Sequence, residues 1–239
     1  MNILAIGNSF SEDATRYLYG IARADGVNIN VFNLCIGGCP LDSHYRNMLS
    51  GERAYELQVN GHKSEFRVSL KEGLLNRSWD IITIQQVSNR ACIKESYQPY
   101  ATALVKFIRE CAPKAKIYFQ QTWGYETGSP RLVNEMGYAT FRDMQNDVTA
   151  AYAEAADVTG ADGIIPSGEM LGALLDNGIA KVHRDTSHAS LGLGRYALAL
   201  LWYKTLIGKS VIGNTFRDFD EPVWEDQVRI VQQVVESFN

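Results

Sequence analysis

The sequence predicts an α/β protein, a three-layer α/β/α sandwich around a central five-stranded parallel sheet, and three observations carry that expectation. Short apolar runs rich in Val and Ile alternate with longer helix-patterned stretches, as in a parallel sheet covered on both faces. No internal repeat, low-complexity stretch or linker interrupts them, so residues 1–239 are expected to form one domain. The length, with 46% hydrophobic and 21% charged residues, suits one well-packed soluble core.

The strand candidates in chain order are Asn2–Ile6, Asn28–Leu34, Asp80–Gln85, Lys116–Gln121 and Gly163–Ile165. Each is a short apolar run of strand length, too short for a helix. Helical patterns fall between them, near Glu12–Ala24, Leu41–Leu49, Ser69–Asn76, Tyr97–Cys111 and Thr140–Val158. Three more follow, near Glu169–Asp176, Ser190–Ile207 and Glu221–Phe238. Five strands in this alternation fit a flavodoxin-like sandwich. One segment departs from the alternation: Tyr55–Val59, then Asn60-Gly61, then His62–Val68 reads as an antiparallel hairpin. Asn-Gly favours a two-residue turn because both residues tolerate positive φ. The hairpin is expected to project from the sandwich as a small insertion.

Composition excludes several function classes. A net charge of −4 with no Lys/Arg cluster argues against nucleic-acid binding, which needs a basic face. The longest apolar run, Ala197–Tyr203, is far too short for a membrane span. The chain enters strand pattern at once, without the charged and apolar regions of a signal peptide. The expectation is therefore a cytoplasmic chain, or a secreted or periplasmic one where a leader has been removed. Four cysteines (Cys35, Cys39, Cys92, Cys111) are too few for a disulfide framework, so free thiols are expected. Four scattered histidines and no metal-ligand spacing predict no metal, and no cofactor is expected.

Two short blocks carry chemistry. Gly7-Asn8-Ser9-Phe10-Ser11 follows the first strand, placing a hydroxyl at a strand's carboxyl end, where open α/β sheets build their sites. Near the end of the chain stands Asp185-Thr186-Ser187-His188. An imidazole that accepts a hydroxyl proton, oriented by a carboxylate, turns a serine into a nucleophile. Taken singly, Ser9 reads first as a helix cap, and His188 reads equally as a helix-capping or polar loop residue.

Together these blocks resemble the SGNH (GDSL-like) hydrolases, serine esterases on a flavodoxin-like fold, and in particular a bacterial branch with Gly-Asn-Ser-Phe at the nucleophile. The resemblance implies Ser9 as nucleophile, His188 as base and Asp185 as orienting acid. It also implies an oxyanion hole of the Ser9 N–H, a glycine and an asparagine. Gly38, within Cys35-Ile36-Gly37-Gly38, matches the glycine. The third block departs from the family's Gly-x-Asn-Asp: here Gln86-Val87-Ser88-Asn89-Arg90 follows the third strand. Asn89 holds the donor position by count from Asp80, and Gln86 is the alternative donor. The Gly-x-Ser-x-Gly elbow of α/β-hydrolases is absent.

Further candidates for substrate contact are His44 and Asn47, three apart on a helical stretch, and Trp123 and Tyr125 after the fourth strand candidate. The expected activity is hydrolysis of a short-chain ester, acetyl first, on a small molecule or oligosaccharide, with no nucleic acid or membrane as partner. A long-chain lipase or thioesterase, a non-catalytic binding module and a nucleotide- or flavin-binding protein are the alternatives.

Overall fold

The computed structural model describes residues 1–238. Seven strands form one sheet: β1 (Asn2–Gly7), β2 (Asn30–Cys35), β3 (Tyr55–Val59), β4 (His62–Val68), β5 (Ile81–Ile84), β6 (Lys116–Gln120) and β7 (Gly163–Ile165). Their order is β4-β3-β2-β1-β5-β6-β7. The five expected strands are the parallel part, β2-β1-β5-β6-β7, in the flavodoxin-like order. β1, β5 and the far end of β2 are buried, as a sheet covered on both faces requires.

The hairpin corrects the expected strand count and the expected insertion. Asn60 and Gly61 do turn it, with φ of 53° and 83°, but it does not project. β3 pairs antiparallel with β2 from Phe32↔Val59 to Cys35↔Glu56. The hairpin thus extends the sheet to seven mixed strands and covers the edge of β2, which would otherwise present unpaired backbone groups. Its turn presses against the main body: a Cβ on Gly61 would lie 2.1 Å from the Arg16 carbonyl.

Helices α1 (Ser9–Thr15), α2 (Leu18–Ala24), α8 (Leu193–Ile207) and α9 (Glu225–Glu236) pack together on one face. Helices α3 (Leu41–Ser50), α4 (Leu70–Leu75), α5 (Tyr100–Cys111) and α6 (Phe141–Thr159) pack on the other, and α7 (Ser167–Asp176) touches both α6 and α8. The single helix expected over Glu12–Ala24 is two, parted at Arg16 and Tyr17. Both residues are engaged elsewhere: the Tyr17 hydroxyl donates to the Leu191 carbonyl at 2.6 Å, and Arg16 forks onto Asp220. The other helices start or stop within a few residues of expectation. α8 is buried on nearly every side, which explains its continuous apolar run.

The strand order reverses between β1 and β5. The loops that leave these two strands at their carboxyl ends therefore diverge, and the crevice between them is where open α/β sheets bind ligands.

Candidate active site

Asn8 builds the floor of that crevice. Its backbone is extended, and its side chain caps α1 by accepting from the Phe10 N–H at 3.0 Å. The same oxygen accepts from Gln85 Nε2 at 2.8 Å, while Asn8 Nδ2 donates to the Cys39 carbonyl at 3.1 Å. One buried amide thus ties together the ends of β1 and β5 and the turn after β2. Ser9, first residue of α1, is left half-buried at the crevice, with its N–H among those a helix's first turn leaves open.

The opposite wall is the 183–189 loop, closed by bonds from Arg184 N to His188 O at 3.0 Å and from Ser190 N to Val182 O at 2.8 Å. His188 Nε2 lies 2.9 Å from Ser9 Oγ, and His188 Nδ1 lies 2.8 Å from Asp185 Oδ2. The second oxygen of Asp185 accepts from the backbone N–H of Ser187 at 2.7 Å and of His188 at 2.8 Å. Partial burial pushes the Asp185 carboxyl up. The two backbone N–H groups and the imidazole outweigh it and hold the group well below the usual carboxylate range. An ionised Asp185 keeps the proton on Nδ1, so Nε2 faces Ser9 as an acceptor. Ser9, His188 and Asp185 are therefore in hydrogen-bonded series.

A second tether joins the two walls. Asp13, on α1, accepts from Arg184 Nη1 with both oxygens at 2.9 Å and from Arg195 Nε at 2.9 Å. Arg184 also donates to the Ala189 carbonyl at 2.6 Å. The helix that begins with Ser9 and the loop that carries His188 are thus held by one buried carboxylate.

A pocket of about 280 Å³ opens over Ser9, lined by Asn8, Phe10, Gly38, Val87, Ser88, Asn89, Arg131, Ser187 and His188. Gly38 occupies an exposed turn closed by the Cys39 N–H on the Ile36 carbonyl at 3.2 Å. Its φ of +63° is one that a glycine takes without strain. Asn89 stands exposed on a one-turn 3-10 helix, Ser88–Arg90. Both expected donors therefore face the same pocket as Ser9.

Five other candidates do not line it. Gln86 is fully buried with its amide committed: Oε1 accepts from Leu41 N and Val87 N, and Nε2 donates to the carbonyl and hydroxyl of Ser96. No donor remains for an oxyanion. Trp123 is fully buried; it stacks on Phe10 at 4.2 Å and donates from Nε1 to the Ser187 carbonyl at 2.7 Å. It braces the His188 loop from below. Tyr125 is fully buried, its hydroxyl 2.9 Å from Ser88 Oγ, and so supports the turn bearing Asn89. His44, on the buried face of α3, is stacked on Tyr55 with Nδ1 2.9 Å from its hydroxyl, and burial pushes its pKa down to about 4. Asn47, one turn on, is half-buried, and its carbonyl accepts from the Gly51 N–H that ends α3. These corrections share one cause: aromatic and amide side chains at a strand's end serve the frame as readily as the ligand.

The sequence reading missed Asn8, Asp13, Arg131, Arg184 and Ser187. Adjacency to the nucleophile and base blocks was the available signal for Asn8, Arg184 and Ser187. Arg131, on a π-helical turn at Arg131–Glu135, had none. Among the described residues no group of His, Cys, Asp or Glu could hold a metal ion, all four cysteines are free, and no helix is long and apolar enough to cross a membrane.

No curated protein matches the chain. The model of the family described as a domain of unknown function, DUF4886, matches residues 2–231. The structure is similar to the crystal structure of a DUF4886 family protein from Bacteroides uniformis, with a TM-score of 0.92 at 30% identity over 99% of this chain and 93% of that one. A structure from Slackia heliotrinireducens, provisionally described as an SGNH hydrolase, shares the fold with a TM-score of 0.61 at 22% identity, over 86% of this chain and 98% of that one. A family 3 carbohydrate esterase from Clostridium thermocellum shares it more distantly, with a TM-score of 0.50 at 12% identity, over 87% and 96%. Matched by the family model along nearly its whole length, and aligned end to end with a relative of that family, the chain belongs to the DUF4886 family.

Proposed function

We propose that the chain is a serine esterase that hydrolyses a short-chain ester, acetyl first, on a carbohydrate alcohol. The observation that carries the reading is the hydrogen-bonded series Ser9–His188–Asp185 opening into a pocket at the strand-order reversal. Ser9 Oγ attacks the ester carbonyl as His188 Nε2 takes its proton. The negative charge on the carbonyl oxygen meets the N–H groups of Ser9 and Gly38 and the side-chain amide of Asn89. His188 then gives its proton to the leaving alcohol. Water, deprotonated by His188, cleaves the acyl-enzyme and frees the acid and Ser9.

The small pocket supports a short acyl group. Apart from Phe10, Gly38 and Val87 its lining is polar, so a longer chain, worth about 0.8 kcal/mol per buried CH₂, finds little apolar wall. The same lining suits an alcohol rich in hydroxyls, and the carbohydrate esterase that shares the fold agrees with that choice. The test has two readouts. A fluorophosphonate probe should label Ser9 and spare the Ser9→Ala variant, and kcat/KM should fall as p-nitrophenyl esters lengthen from acetate to octanoate. An unlabelled Ser9 with no ester turnover would reject the esterase reading. A rate that climbs with chain length would reject the short-acyl reading.

A further inference from the structure

Arg131 is the cation of the pocket, and its guanidinium is mostly unspent. One face lies over the Tyr125 ring at 4.7 Å, and Nη1 donates to Ser187 Oγ at 2.8 Å. Among the described residues the rest of the fork has no hydrogen-bond partner. The carboxylate within ion-pair reach is that of Glu135, 3.9 Å from Nε, and its side chain is 69% exposed. The other arginines near the site are engaged: Arg184 on Asp13, and Arg90 on Asp42 at 3.0 Å. Among the described residues no carboxylate lines the pocket itself. A rigid, stacked guanidinium with open donors, facing a pocket without a counter-charge, fits a carboxylate or phosphate oxyanion.

Position decides which half of the substrate carries that anion. His188 Nε2 must hand its proton to the leaving oxygen, so the alcohol lies on the His188 side. Arg131 is bonded to Ser187, the residue before His188. The donors assigned to the carbonyl oxygen come from the turns at Gly38 and Asn89 instead. We propose that Arg131 selects esters whose alcohol portion bears an anionic group, such as an O-acetylated acidic or phosphorylated sugar. This rests on the esterase reading above and deepens it.

The test compares kcat/KM on O-acetyl glucuronate with that on O-acetyl glucose, with O-acetyl glucose phosphate as a second arm and p-nitrophenyl acetate as a neutral reference. The wild type should favour at least one anionic ester by about tenfold or more, as a charge-assisted contact allows, and the preference should shrink at high salt. In Arg131→Gln the ratio should fall towards one, and Arg131→Lys should keep part of it. Taking a ratio cancels any general loss from a disturbed Ser187. Should the variants fold poorly, competitive inhibition of the wild type by glucuronate or glucose phosphate, and not by glucose, reads the same contact. The arm that shows the larger preference identifies carboxylate or phosphate as the anion. Equal rates on anionic and neutral esters in the wild type would overturn the proposal while leaving the esterase reading intact. An equal fall on both in Arg131→Gln would also overturn it, since Arg131 would then only position Ser187. Absence of turnover on all four esters would instead reject the esterase reading on which it rests.

Discussion

Replacing Asp13 by alanine is expected to loosen the candidate site without touching Ser9, His188 or Asp185. The Asp13 carboxylate is 1% exposed and is the shared acceptor of two guanidinium groups. Removing one partner of a buried ion pair costs about 3–5 kcal/mol, because the other charge stays behind uncompensated. Here Arg195 keeps Asp220 at 2.7 Å and the Arg184 side chain is 28% exposed, so the lower end applies, about 3 kcal/mol. For a chain of this length that corresponds to a fall in Tm of roughly 6–12 °C. The kinetic consequence is separate. Arg184 holds the loop whose His188 must stay 2.9 Å from Ser9, and a displacement of about 1 Å can cost about 10²-fold in rate. A thermal melt by circular dichroism, with steady-state hydrolysis of p-nitrophenyl acetate well below Tm, reads both effects. Asp13→Asn should lie between the wild type and Asp13→Ala, since its amide oxygen still accepts from Arg184. An alanine variant with the Tm and kcat of the wild type would refute the argument. The loop would then be held by Trp123 on the Ser187 carbonyl and by Glu126 N on Thr186 O.

Three other outcomes are expected. Ser9→Ala and His188→Ala should each abolish nearly all ester hydrolysis, the double variant should lose little more, and Asp185→Asn should retain a larger residue; additive losses would show that the two do not act as a unit. Asn89→Ala should lower kcat by about 10²–10³ with KM little changed, whereas Gln86→Ala, which strips four hydrogen bonds from the frame, should lower Tm; steady-state kinetics with melting curves separates the two. Burial holds the His44 imidazole at about 4 against an ordinary value near 6.5, so the unfolded chain binds the extra proton in that window. Stability contributed by the neutral ring is present above about pH 6.5 and is lost, to a total of about 3 kcal/mol, as pH falls to about 4. Urea titrations across that range should show a slope that His44→Gln reduces.

Much of this architecture is written locally. Five short apolar runs separated by helical patterns specify a parallel sheet, because a strand buried on both faces must be apolar along its length. Asn60-Gly61 specifies its turn, because positive φ is a property of the two residues concerned. The Ser9 block and the Asp185–His188 block are legible as a candidate site because each sits where a strand pattern ends or a loop meets a helix. What lies opposite each element is a different kind of information. Only the tertiary structure decided that the hairpin pairs with β2, since an open sheet edge is visible only once the sheet exists. It alone turned Trp123, Tyr125 and His44 inward, committed the Gln86 amide to the backbone at Leu41 and the side chain of Ser96, and left Asn89 at the pocket. The placement of Arg131 beside Ser187 joins residues 56 positions apart, which no local pattern encodes. Periodicity and turn chemistry act over a few residues, whereas the choice of hydrogen-bond partner for a polar side chain is made by whichever distant groups the packed core brings within reach.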